Sequence, residues 1–381
     1  MSKFIVPSIP NIDQKVEYDL LYIKQEILKI YGEENIFAIL LCGGFGRGEG
    51  SIIKSNDKYK PFNDYDLFLI TKRRISADSL KKLGEKLAKK INIRFVDLGA
   101  IKKSRLKKMP HTIFTYDLKH SSQVIFGDNN ILEKIPYFSN EEIKREEGKK
   151  ILFNRLICFL ELTHNSFINK KNIPIEERDK MILQISKSII AAAVAFLVLE
   201  KKYKSSYQKQ LRNFLYYCPS SKWKDLVSLA YKLKLGTICP REVDCWQYWF
   251  AARNFYLEIM KIFLNEYYNS VFLEWKNFLE FYENISLKDS IIFQLKKIIK
   301  FLIWKEPLIL NTTKLKTLTE ITVFLTILSL QKELNLDMNY FKLAKKYFQK
   351  VFKETKIKKI EIKNWNTAKE ICNNLWSTYH H

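Results

Sequence analysis

Between residues 37 and 70 the chain reads FAILLCGGFGRGEGSIIKSNDKYKPFNDYDLFLI, and this stretch limits the fold more than any other. An apolar run, Phe37 to Leu41, leads into five glycines between Gly43 and Gly50. After a polar insert, Asp64-Tyr65-Asp66 opens a second apolar run, Leu67 to Ile70. The pattern predicts strand, glycine turn, helix start, loop and strand. Glycines let backbone take positive φ and approach a ligand closely, and a helix starting there aims free N–H groups at an anion such as a phosphate. Asp64 and Asp66 are two apart on the predicted strand, so they share one face. Two such carboxylates repel unless a cation lies between them, and hard oxygen ligands suit Mg²⁺. Solvated aspartates after a glycine-rich turn are the plainer alternative for either feature alone. The two features together, in this order and between two strands, favour nucleotide chemistry.

Gly43-Gly44-Phe45-Gly46-Arg47-Gly48-Glu49 followed by Asn63-Asp64-Tyr65-Asp66-Leu67 resembles the active-site signature of the polymerase-β-like nucleotidyltransferases. It looks most like the GGxGRGE…DxD variant found in bacterial signal-protein uridylyltransferases and their relatives. The match covers about the first third of the chain. Nineteen residues separate Gly44 from Asp64, more than such families commonly carry, and the surplus around Ser55 to Lys60 reads as a polar surface loop.

The resemblance implies an enzyme that moves a nucleoside monophosphate from an NTP, ATP among them, to an acceptor hydroxyl of a protein or small molecule, releasing pyrophosphate. Asp64 and Asp66 would hold two Mg²⁺, and Gly43, Gly44 and Arg47 the β- and γ-phosphates. A third carboxylate from a neighbouring strand completes the metal site in such enzymes and takes the acceptor's proton. Asp97, on the expected strand Asn92 to Leu98, is the only acidic residue between Glu85 and Asp117 and is the candidate. A strand-end aspartate turning into Gly99 is the competing reading. Two other functions stay open: an RNA-end nucleotidyltransferase, and a catalytically weak nucleotide- or RNA-binding protein that keeps the fold.

The fold class expected is α+β, with a nucleotidyltransferase mixed sheet and flanking helices over residues 1–138 and an all-helical domain over 139–381. Residues 13 to 31 read as an amphipathic helix, and Ser76 to Lys90 as a second helix. Ile113 to Asp128 resembles the helix, strand and Gly-Asp corner that follow the active-site strands in many nucleotidyltransferases. Ser139-Asn140-Glu141-Glu142 reads as a capping box opening a long helix through about Phe167. Later helices are expected to break at Pro174, Pro219, Pro240 and Asn284 to Ser286. Trp246, Tyr248, Trp249, Phe250, Phe255 and Tyr256 are expected to form a core. The helical domain is expected to wall the nucleotide cleft and to choose the acceptor. Ile185 to Leu199 and then Tyr203 to Tyr207 resemble the helical domain of kanamycin-type and polyadenylating nucleotidyltransferases. That likeness makes Lys187 and Ser206 candidate nucleotide-phosphate ligands, although lysines are common on any solvated helix face.

The formal charge of +24 admits a nucleic-acid partner without requiring one. Residues 1–138 carry 24 basic and 16 acidic side chains, and the remainder 41 and 25. The excess is therefore diffuse, and a long nucleic acid is not the favoured acceptor. The basic run Lys102 to Lys108 reads as a solvated face. The longest apolar run, Ile189 to Leu199, is eleven residues, short of a membrane span. The N-terminal residues lack a signal-peptide core. The six cysteines show no CxxC pair, so a cytoplasmic protein with buried thiols is expected.

Overall fold

A computed structural model describes all residues except 1, 7–8, 10, 56–57, 63, 170–172, 286–311, 356–359 and 381. The chain clusters into two compact units, Met1–Gly148 with Ala193–Glu242, and Lys149–Ala192 with Val243–His381.

The first unit is built on strands β1 (Ile36–Leu41), β4 (Asp64–Thr71), β5 (Phe95–Lys102) and β6 (Gln123–Gly127), in the order β5-β4-β1-β6. β4 and β5 run parallel, whereas β1 is antiparallel to both β4 and β6, so the sheet is mixed. Helices α1 (Ile12–Tyr31) and α3 (Ala77–Ile91) cover one face through Val16, Leu20, Ile23 and Ile27 and through Leu80, Leu83 and Leu87. Each such buried aliphatic contributes about 1.5–3 kcal/mol. The other face packs Ala38, Leu40 and Ile70 against Leu106, Leu118, Ile131 and Ile135. Ile36 joins Ile39 and Leu41 on the α1 face despite the two-residue period, because the register shifts between Ile36 and Ala38.

Three expectations are corrected by these elements. The third strand begins at Phe95 and runs to Lys102, because Asn92 takes the left-handed C-cap position of α3. Asp97 is thus inside a strand and paired across it. The insert expected as a loop carries a hairpin of β2 (Ile52–Ser55) and β3 (Lys58–Pro61), pairing Ile52 with Pro61 and Ile53 with Lys60. The capping box at Ser139 and Glu142 forms, yet it opens only a 3₁₀ turn, Asn140–Glu142. A separate helix, α5 (Arg145–Arg155), follows, and 3₁₀ turns at Leu156–Phe159 and Asn165–Phe167 replace its expected continuation. Asn56, Asp57, Asn63 and Ser286 lie outside the described residues.

The remaining elements of the first unit include α2 (Gly43–Gly46), α4 (Ile113–Ser121), α7 (Tyr207–Tyr217) and α8 (Ser221–Leu235). Helix α6 (Ile175–Leu199) begins directly after Pro174 and crosses the division between the units at Ala192. It is long and apolar enough to span a bilayer, but most of it is buried. The second unit is helical among its described residues, with α9 (Cys245–Tyr268) and the helices Thr312–Ser329, Met338–Thr355 and Trp365–Tyr379. Tyr248, Trp249, Phe250, Phe255 and Tyr256 of α9 are buried. Trp249 donates its indole N–H to the Phe159 carbonyl at 3.0 Å, so the ring is a satisfied core group. The chain is α+β, a mixed sheet with flanking helices followed by a long helical part.

Candidate metal and nucleotide site

β1 ends at Leu41, and the chain turns immediately through Cys42 into the single helical turn α2. Gly43 sits at φ +61°, and a Cβ there would fall 1.8 Å from Asp66 Oδ2. Glycine is therefore strongly favoured, by its conformation and by the room that a side chain would take from Asp66. A Cβ on Gly46 would strike the Leu41 carbonyl at 2.4 Å, so the turn folds back on its own strand only with no side chain at that position.

Asp64 and Asp66 lie at the start of β4 on one face of the sheet, and Asp66 is directly paired with Asp97 of parallel β5. One carboxylate oxygen from each of the three lies within 4.8 Å of the others. Asp64 and Asp66 are partly buried and Asp97 is exposed. At such spacing two like charges repel by roughly 3–4 kcal/mol at an effective dielectric near 20. Burial, then Asp64 and Asp97, push the Asp66 carboxyl up to about 7, while Arg47 and Lys234 pull it down. Three oxygen donors crowded against their own repulsion, beside a glycine whose missing side chain leaves the room, fit a hard divalent cation.

Arg47 turns away from solvent. Its guanidinium lies 3.4 Å from Asp117, 3.7 Å from Glu49 and 4.4 Å above the Tyr207 ring. The Nε atom is buried with no hydrogen-bond acceptor. Asp117 accepts the Tyr203 hydroxyl at 2.8 Å, and burial pushes its carboxyl up to about 6 against the pull of Arg47. Glu49, also buried, takes up the start of α7: it accepts from the Ser206 hydroxyl at 2.8 Å, Tyr207 N at 2.7 Å and Gln208 N at 3.1 Å. A carboxylate there meets both the unsatisfied amides and the positive end of the helix. The glycine turn is thereby tied to residues 203–208 through a charged network.

The sequence-derived candidates thus separate. Asp64, Asp66, Asp97, Gly43 and Gly44 gather at one end of the sheet. Arg47 and Ser206 meet through Glu49, and Ser206 also caps α7 by accepting from Lys209 N at 3.3 Å. Lys187 lies on α6 within the second unit, near the Cys158 thiol. Cys42 is inert: burial pushes its thiol up to about 12.

Sequence reasoning missed Glu49, Asp117, Tyr203, Tyr207 and Lys234. Glu49 is part of the quoted signature, so its presence was visible and only its partner was not. Lys234 stands in the last turn of α8, where Gly236 closes the helix against Ile52. Its ammonium is 6.0 Å from the Tyr207 ring and acts on Asp66. A lysine before a C-cap glycine reads locally as a partner of the helix dipole, and nothing in the pattern points it to a carboxylate.

No protein-family model matches the chain, and no curated protein matches it. Among solved structures it is similar to a spectinomycin adenyltransferase from Enterococcus faecialis, determined with ATP and spectinomycin. The identity is 13%, the likeness covers 64% of this chain and 99% of that one, and the TM-score is 0.39.

Proposed function

We propose that the chain is a Mg²⁺-dependent nucleotidyltransferase that moves a nucleoside monophosphate from an NTP to an acceptor hydroxyl, with a small molecule or a protein as acceptor. The observation that carries this reading is the convergence of Asp64, Asp66 and Asp97 within 4.8 Å beside Gly43. The three aspartates would hold Mg²⁺, which when bound supplies charge neutralisation at the reacting phosphate.

In this reaction the acceptor oxygen forms a bond to the α-phosphorus as the bond to the pyrophosphate oxygen breaks, and the acceptor proton must leave. Asp97, the exposed member of the three, takes that proton. Gly43 and Gly44, lacking Cβ atoms, let the phosphates approach the backbone beside Asp66. Lys234 adds positive charge that acts on Asp66 and would offset the charge of a departing pyrophosphate. Arg47 serves at one remove: with Glu49 and Ser206 it holds the glycine turn in place. Five buried free thiols fit a reducing compartment such as the cytoplasm.

Incubating the purified protein with each labelled NTP, Mg²⁺ and cell extract, and following both pyrophosphate release and the size fraction labelled, tests the proposal. Mg²⁺-dependent labelling lost in Asp66→Asn is expected. No NTP releasing pyrophosphate above the Asp66→Asn background would overturn it.

A further inference from the structure

A second concavity lies at the other end of the same sheet. Phe37 is near the start of β1, Lys72 follows the last residue of β4, and Lys103 and Lys107 follow β5. Together with Thr71, Ser104 and Lys134 they line a space of about 460 Å³. Four lysines from three separate chain segments line it, and no carboxylate is among the lining residues. Lys103 lies 4.0 Å from the centroid of the Phe37 ring. The segment that bears Lys134 is pinned from below: the Lys119 ammonium donates to the Leu132 carbonyl at 3.1 Å and to the Ile135 carbonyl at 2.7 Å.

With 65 lysines and arginines in the chain, a lysine patch alone means little. Here four lysines border one concavity whose lining holds no carboxylate. Taken as a sphere, 460 Å³ is about 10 Å across, close to the Debye length of ~8 Å at physiological salt, so the four charges act on a guest together. Lysines also suit a guest whose oxygens point several ways, because each is a mobile point charge rather than a fixed fork. One inorganic phosphate would leave about half of the charge unmatched, whereas two or three linked phosphates would match it.

The concavity lies apart from the aspartate site. Asp66 and Thr71 are five residues apart on β4, which at ~3.3 Å per residue separates them by about 16 Å. We propose that this concavity is a separate binding site for a ligand carrying two or three consecutive phosphates. Phosphates in series occur in free oligophosphates, joined through anhydride oxygens, and along a nucleic-acid strand, where sugars separate them and each carries one charge; what the two share is several anionic phosphate oxygens presented to the same lysines. The site is independent of the catalytic reading.

Titration calorimetry with tripolyphosphate, in EDTA and at about 0.15 M salt, removes any metal-held binding and tests the site directly. One saturable event is expected for the full chain and for Asp66→Asn. In Lys103→Gln/Lys107→Gln it should weaken tenfold or more. A control pair, Lys342→Gln/Lys346→Gln, removes the same charge from the helix Met338–Thr355 and should change affinity by less than twofold. A short single-stranded RNA as competitor separates the sources: displacement of tripolyphosphate that requires Lys103 and Lys107 identifies a nucleic-acid strand, and its absence identifies a free oligophosphate. Absence of saturable binding, or equal weakening in the two lysine pairs, would overturn the proposal.

Discussion

Replacing Glu49 by Gln should loosen the glycine turn although nearly every atom is kept. The carboxylate is buried and accepts three hydrogen bonds, two of them from the first amides of α7. A glutamine has only one acceptor oxygen. If that oxygen keeps Ser206 and Gln208, the amide nitrogen faces the Tyr207 N–H donor to donor. One charge-assisted bond is lost, about 1.5–3 kcal/mol. The anion at the helix N-terminus disappears as well, worth up to ~2 kcal/mol in partly buried geometry. Buried Arg47 keeps only Asp117 as a counter-charge. The combined loss should be roughly 3–5 kcal/mol, the range seen when one member of a buried pair is removed. For a unit of this size that lowers the melting temperature by about 10 °C. Thermal unfolding gives the global effect, and amide hydrogen exchange at Tyr207 and Gln208 gives the local one. Melting within about 2 °C of wild type, with unchanged protection at those two amides, would refute the reasoning.

The other predictions concern the aspartates and the glycine. Asp66→Asn should abolish nucleotidyl transfer, and in EDTA it should make the protein more stable at alkaline pH. Asp66 ionises near 7 in the folded chain against an ordinary 3.8. Its contribution to stability is therefore present at acid pH and lost as pH rises through about 7, and the amide removes that loss. Melting curves from about pH 4 to pH 8 should show the variant gaining on wild type as pH rises; a variant less stable at every pH would count against a frustrated cluster. Asp97→Asn should lower kcat by about 10² or more with NTP binding less affected, and a wild-type rate in steady-state kinetics would return it to a purely structural role. Gly43→Ala places a methyl 1.8 Å from Asp66 Oδ2 at φ +61°. It should cost about 1–3 kcal/mol and remove the Mg²⁺-dependent rise in melting temperature, which a thermal scan with and without Mg²⁺ measures.

Much of this protein was legible along the chain because it depends on neighbours in sequence. The apolar run Ile36–Leu41, the helical spacing of Val16, Leu20, Ile23 and Ile27, and the crowding of glycines after Leu41 each report a local demand of backbone or burial. The two-residue spacing of Asp64 and Asp66 likewise put them on one face as soon as a strand was assigned. Boundaries were less legible: the left-handed turn at Asn92 moved β5 by three residues, and a 3₁₀ turn at Asn140 ended what the capping box began.

Tertiary structure decided which distant groups share a charge. Asp97 meets Asp66 because β5 lies parallel to β4 in one register, a pairing between residues thirty-one apart. Glu49 takes the amides of Tyr207 and Gln208 across more than 150 residues. Four lysines that were unremarkable along the chain became one basic concavity only when β4 and β5 ended side by side. The physical reason is the range of the forces. Helix and strand preferences are set within a few residues, whereas electrostatic partners and close-packed glycines answer only to distance in space, which no local pattern encodes.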